Sequence, residues 1–165
     1  MSKAVMLSIR PKWCEKIASG EKTIEVRKTR PKLDTPFKVY IYCTQSGVAP
    51  GAWGKQAKVI GEFTCDRIYW LAPLNHAPED VEQQACLTRK EIVRYLKGAG
   101  CGWHISDLKI YDKPRELREF KKSNRDCFYA DLGLAKRDCP DCKNSGCFLE
   151  RPPQSWCYVE AMQDG

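Results

Sequence analysis

The amino-acid sequence predicts an α+β fold, a small, curled, mostly antiparallel sheet or barrel with helices set between its strands. Three observations carry this. Five or six short segments have strand patterning, and others have helical apolar spacing with their own start and stop signals. No repeat, low-complexity tract or linker divides the chain, and 165 residues at 42% hydrophobic suffice for one core. The expectation is a single domain over residues 1–165, carrying a cysteine-rich insertion at about 122–150.

Residues 4–9, Ala-Val-Met-Leu-Ser-Ile, form an apolar run that ends at Arg10-Pro11, where proline suits the first turn of a helix. That helix carries Trp13, Cys14, Ile17 and Ala18 as its apolar stripe, and Gly20 supplies the left-handed residue that ends it. In Thr23-Ile24-Glu25-Val26-Arg27, β-branched and polar residues alternate. Ile24 and Val26 are expected to face the core, and Thr23, Glu25 and Arg27 to share a polar side. Phe37 to Cys43 reads as a strand with Val39 and Ile41 on one face and Tyr40 and Tyr42 on the other. A glycine-rich loop from Gly47 to Gly54 contains Trp53. Ala57 to Trp70 is long for one strand, and Gly61 within it predicts a bulge or bend. Residues 76–98 are predicted helical: Thr88 and Glu91 have capping-box spacing, Ile92, Val93, Tyr95 and Leu96 supply the apolar face, and Gly98 ends the run. Trp103 to Tyr111 is a strand with a register break near Asp107, Pro114 to Phe120 a short charged helix, and Gln154 to Glu160 the last strand.

Twenty-eight Lys and Arg against 21 Asp and Glu give a net charge of +7, which draws polyanionic partners, although no block of like charges stands out. The opening residues lack the apolar core of a signal peptide, and no stretch reaches the roughly eighteen apolar residues of a membrane span. The expectation is a cytoplasmic protein with no membrane partner, in which the ten cysteines stay reduced. Cys14, Cys43, Cys65, Cys86 and Cys101 are scattered singly, as core residues are. Cys139, Cys142 and Cys147 place three thiols in nine residues, a spacing suited to a tetrahedral thiolate zinc site. Cys127 is the first choice for the fourth ligand and Cys157 the second. Free thiols or a disulfide are the alternative readings, and an iron–sulfur cluster would use the same ligands. Four thiolates leave no open coordination position, so the zinc would be structural and would hold the insertion.

The candidate binding segment is Gly20 to Arg27. Two-residue spacing sets Glu25 and Arg27 over one patch of sheet, with Lys22 where helix passes into strand. A solvated strand face with a surface ion pair worth about 0–1 kcal/mol accounts for the same pattern. Leu7-Ser8-Ile9-Arg10-Pro11, the short helix, and Gly20-Glu21-Lys22-Thr23-Ile24-Glu25-Val26-Arg27 resemble the opening signature of the ASCH domain, a family of the PUA-like superfamily. The family pattern is Gly-x-Lys-Thr-x-Glu-x-Arg on the second strand. Gly61-Glu62-Phe63, Gly102-Trp103-His104-Ile105 and the stretch from Pro153 to Glu160 also resemble ASCH proteins of bacteria and phages, so the resemblance spans nearly the whole chain apart from the insertion.

The resemblance implies a small PUA-like β-barrel with flanking helices and a cleft, beside the helix-to-strand element, that takes RNA or a modified nucleotide. Lys22, Glu25 and Arg27 would line it, with Arg as a fork for phosphate or a base edge, Lys as a point charge and Glu as an acceptor for a base amino group. Ser8, Arg10 and Lys12 precede the same cleft, and Trp53 would stack a base. Two other functions stay open. Some small ASCH proteins hydrolyse the amide of acetylated cytidine, which would make Lys22 catalytic. They have threonine where this chain has Glu25, and Glu82 is a poorly registered substitute for their second glutamate. Ribonuclease activity is also attributed to family members, but His76 and His104 are not spaced as an obvious acid–base pair. The third reading is a protein-interaction module that docks a partner through its zinc-fixed insertion.

Overall fold

The computed structural model describes residues 2–45, 57–72, 74–123 and 147–163. Trp53, Cys127, Cys139 and Cys142 lie outside them. Six strands form one sheet: β1 (Lys3–Ile9), β2 (Ile24–Arg27), β3 (Phe37–Cys43), β4 (Lys58–Trp70), β5 (Cys101–Arg115) and β6 (Trp156–Glu160), in the order β2-β5-β4-β3-β1-β6. Neighbours are antiparallel except β1 and β3, which run parallel with Val5 beside Val39. A parallel pair needs a crossover, and here it contains the helix α1 (Pro11–Ala18) and β2. Two short helices, α2 (Val81–Ala85) and α3 (Arg89–Leu96), lie between β4 and β5 in sequence.

The sheet curls into a half-barrel, in keeping with the α+β, PUA-like expectation. Its concave side is filled by Val5, Leu7 and Ile9 of β1, Val39 and Ile41 of β3, Phe63 of β4 and Trp103 of β5, with Cys14 and Ile17 of α1 packed among them. A second core on the outer face joins Met6, Tyr40 and Tyr42 to Leu117, Phe120 and Leu149. Val39 and Ile41 thus part from Tyr40 and Tyr42 as strand alternation requires. The third core lies on the outer face of β2, where Ile24 and Val26 meet Val81 and Ala85 of α2 and Ile92 and Leu96 of α3.

Two irregularities set the curl. The β3–β4 and β4–β5 ladders both skip a residue at Ile60, next to Gly61. A Cβ at Gly61 would stand 2.5 Å from the backbone oxygen of Lys109, so the strands approach this closely only because the residue is glycine. At Asp107 the backbone turns left-handed (φ 47°) and the β4–β5 register breaks beside it.

The structure corrects several expectations. The helical stretch over 76–98 is interrupted: Cys86 takes a left-handed conformation (φ 55°) and ends α2 after five residues. Thr88 then starts α3 through a capping box, its hydroxyl accepting from Glu91 N–H at 3.1 Å and its own N–H donating to the Glu91 carboxylate at 2.7 Å. Only Ile92 and Leu96 of α3 are buried; Val93 and Tyr95 are 57% and 45% exposed. At 100° per residue they lie about 80° to either side of the buried line. Pro114 and Arg115 continue β5, with Arg115 paired to Val59, so the expected helix shrinks to a 3₁₀ turn at Leu117–Glu119. The last strand starts at Trp156 rather than Gln154. No helix among the described residues is long and apolar enough to cross a membrane.

Candidate functional site

The site is built where β1, α1 and β2 follow one another. Pro11 opens α1 and Gly20 (φ 82°) turns the chain, so that Lys22, Glu25 and Arg27 come back toward Ser8 at the far end of the strand order. Lys22, Glu25 and Arg27 are only 3%, 6% and 8% exposed. The solvated-face reading of this segment therefore fails: one side of β2 is covered by α2 and α3, and the other turns into the curl.

Glu25 is the hub. Its Oε1 accepts from Arg27 Nε at 3.1 Å and lies 3.0 Å from Arg27 Nη2, while its Oε2 lies 3.5 Å from Lys22 Nζ. Arg27 Nη2 also donates to the Ser8 backbone oxygen at 2.7 Å, and Nη1 to Ser155 Oγ at 3.2 Å. Lys22 Nζ donates to the Ala85 oxygen at 2.6 Å and stands 4.9 Å from the centre of the Trp13 ring. The Ser8 hydroxyl is engaged too, donating to Pro153 O at 2.6 Å. Arg27 thus spans the seam between β2 and the β1–β6 end of the sheet with side-chain bonds where no backbone ladder exists.

Above this network opens a cleft of about 520 Å³. Ser8, Arg10, Lys22, Glu25 and Arg27 all line it, so five of the residues singled out from sequence meet in one place. Lys12 does not line it; it is exposed and stands 4.8 Å over the Trp13 ring. Residues without a site role in the sequence reading complete the lining, among them Trp13, Leu87 and Tyr95 on the walls. Trp13 and Tyr95 sit at the margins of their helices' apolar stripes, where a large aromatic is half in and half out; that marginal position was the available signal. Lys28 lies 5.3 Å over the Tyr95 ring. Glu91, also on the wall, is held below the usual carboxylate range by the Thr88 backbone and hydroxyl, with a smaller contribution from Lys12. Beneath the floor, the Cys14 thiol is pushed up by its hydrogen bond with Cys43, by burial, and by the charges of Cys43 and Glu25.

The remaining candidates lie elsewhere. Glu82 accepts from the Arg89 backbone and does not line the cleft. His104 pairs with Asp66 at 2.6 Å, and His76 borders a shallower hollow with Arg67 and Trp70. Of the proposed zinc ligands only Cys147, which is buried, and the second-choice Cys157 are described. Among the described residues no three His, Cys, Asp or Glu are grouped to hold a metal. Cys14, Cys43, Cys65 and Cys101 are core residues, and Cys86 is half-buried.

The ASCH domain family model matches residues 7–130. No curated protein sequence matches the chain. Among solved structures, the crystal structure of ASCH from Zymomonas mobilis is similar with a TM-score of 0.58 at 18% identity, covering 95% of this chain and 87% of that one. Two point mutants of that protein are similar with TM-scores of 0.60, again at 18% identity, covering 96% and 95% of this chain and 91% and 88% of theirs. At that identity the likeness speaks for the fold.

Proposed function

The chain belongs to the ASCH domain family of the PUA-like superfamily, and on that premise we propose that it is a binding module for RNA or a nucleotide, with the cleft between β2, α1 and α3 as its site. The observation that carries this reading is the division of labour in the cleft. The floor charges are paired with one another and with backbone carbonyls, whereas the walls present Trp13 and Tyr95 and the exposed Arg10 lies at the mouth. Aromatic faces accept bases by stacking, worth about 1–3 kcal/mol per base, and an exposed cation at the mouth suits phosphate. The volume lies within the range of roughly 300–1,000 Å³ usual for small-molecule sites. A net charge of +7 favours the approach of a polyanion.

In this reading Arg27 is a scaffold rather than a phosphate fork, because each of its three nitrogens already donates, to Glu25, Ser155 and Ser8. Lys22 is similarly committed, to Ala85, Glu25 and the Trp13 ring, which weighs against a nucleophile for amide hydrolysis.

Titration of Trp fluorescence with short single-stranded RNA at several salt concentrations tests the proposal. Affinity should fall with salt, and Arg10→Ala should lower the salt slope by about one. Trp13→Ala should weaken binding about tenfold or more. Absence of binding to RNA and to every nucleotide at low salt would overturn the reading. Turnover of N4-acetylcytidine that disappears in Lys22→Ala would put a hydrolase in its place.

A further inference from the structure

One atom in the cleft has unfinished chemistry. Glu25 Oε1 receives Arg27, but Oε2 is buried and makes no hydrogen bond, with Lys22 Nζ 3.5 Å away. The other such buried side-chain atom among the described residues is Nε1 of Trp103, a residue whose backbone lies opposite that of Glu25 in the β2–β5 ladder. A buried acceptor without a donor is costly, and more so when charged. Lys22 is the ion-pair partner of Oε2 but gives its hydrogen bond to Ala85 O, and Arg27 serves Oε1, Ser8 and Ser155, so neither cation hydrogen-bonds to Oε2.

We infer that Glu25 Oε2 is the specificity element of the cleft, and that it accepts an N–H from the exocyclic amino group of a nucleobase, cytosine or adenine, and discriminates against uracil. The inference rests on the cleft being a nucleotide site. Stacking against Trp13 and Tyr95 sends the base in first and leaves the phosphate beside Arg10 at the mouth, so it is the base edge, not the ribose, that reaches the floor. Oε2 is shielded from bulk water, where a hydrogen bond counts for more. Glu25 lines the cleft, so a base edge that reaches the floor meets its carboxylate while Oε1 keeps its bond to Arg27. Uracil would set a carbonyl oxygen near the carboxylate. Guanine offers two adjacent donors and matches a carboxylate with both oxygens free, but Oε1 is taken by Arg27.

The test compares probes that differ only in the amino group: CMP against the 5′-monophosphate of 2-pyrimidinone riboside, and AMP against that of purine riboside, each titrated into the full chain. A preference of about tenfold or more for the amino-bearing member of at least one pair is expected, as for a site that has lost a charge-assisted hydrogen bond. Less than tenfold in both pairs, with the nucleotides still bound, overturns the role of Glu25 and leaves the cleft standing as a nucleotide site. Failure of all four to bind removes both. Glu25→Gln supplies a donor in place of the acceptor and should bring CMP and UMP to within about twofold; because the two pairs use the unaltered protein, the result stands even if that variant does not fold.

Discussion

Replacing Arg27 by Met keeps much of the side-chain stem and deletes the head that spans the seam. What remains is a carboxylate at 6% exposure with Lys22 Nζ 3.5 Å away as its counter-ion, and a Ser8 carbonyl that has lost its 2.7 Å donor. Removing one partner of a buried pair costs about 3–5 kcal/mol, and orphaning a carbonyl about 1–3 kcal/mol. The two losses overlap, so the expected destabilisation is about 3–5 kcal/mol, against about 0–1 kcal/mol for a surface pair. Urea unfolding followed by intrinsic fluorescence reads this as a fall in midpoint of about 2 M if m is about 2 kcal/mol per molar. The triple variant Lys22→Met/Glu25→Leu/Arg27→Met, with no buried charge to orphan, should recover more than half of the loss. A single-variant loss below about 1 kcal/mol, or a triple variant as unstable as the single one, would refute the buried-network argument.

Three further outcomes follow from other parts of the molecule. Gly61→Ala should destabilise by about 1–3 kcal/mol, because the new Cβ would meet a backbone oxygen at 2.5 Å that no rotamer change can move; a neutral result in urea unfolding would contradict the close approach of β4 and β5. Burial pushes Cys65 from its ordinary value of 9.0 up to about 12 and Cys157 to about 11. These groups ionise sooner in the unfolded chain, so their contribution is full below pH 9 and is lost as pH climbs toward 11–12. The urea midpoint should therefore fall above pH 9, less steeply in Cys65→Ala, and a midpoint that rises there would reverse the sign. The cysteine spacing predicts about one zinc per chain by elemental analysis, held by Cys139, Cys142, Cys147 and Cys127. Chelation should open proteolytic cuts within 122–150, and protein purified without chelator that carries no metal would end the idea.

Local rules carried the strands and caps. Alternation sorted Val39 and Ile41 from Tyr40 and Tyr42, Gly61 and Asp107 marked the irregular ladder positions, and the Thr88–Glu91 pair located the start of α3. The alternation of β2 was also legible, but not what covers each side. That depends on α2 and α3 closing over Ile24 and Val26, and on Ser8 and Ser155 meeting Arg27 from 19 and 128 residues away. The break at Cys86 was not legible, because a left-handed cysteine has no composition signal. Lys22, Glu25 and Arg27 stood out through a family pattern, whereas Trp13 and Tyr95 read as ordinary apolar residues until the fold set their rings across one cleft.

The two ends of the segment from 124 to 146 are fastened together. Lys121 bridges Phe148, Lys122 N–H donates to Cys147 O at 2.7 Å, Leu149 N–H to Phe120 O at 2.9 Å, and Glu160 N–H ties the same stem to β6 through Lys121 O at 2.9 Å. Positions 123 and 147 are thus held together at a single port on the domain. Each doubling of the length spliced between those ends adds only about 0.6 kcal/mol of closure entropy, and no core residue need shift to accept it. Such a port can take cargo of very different size, a property useful to evolution and to anyone grafting a reporter or a second module there.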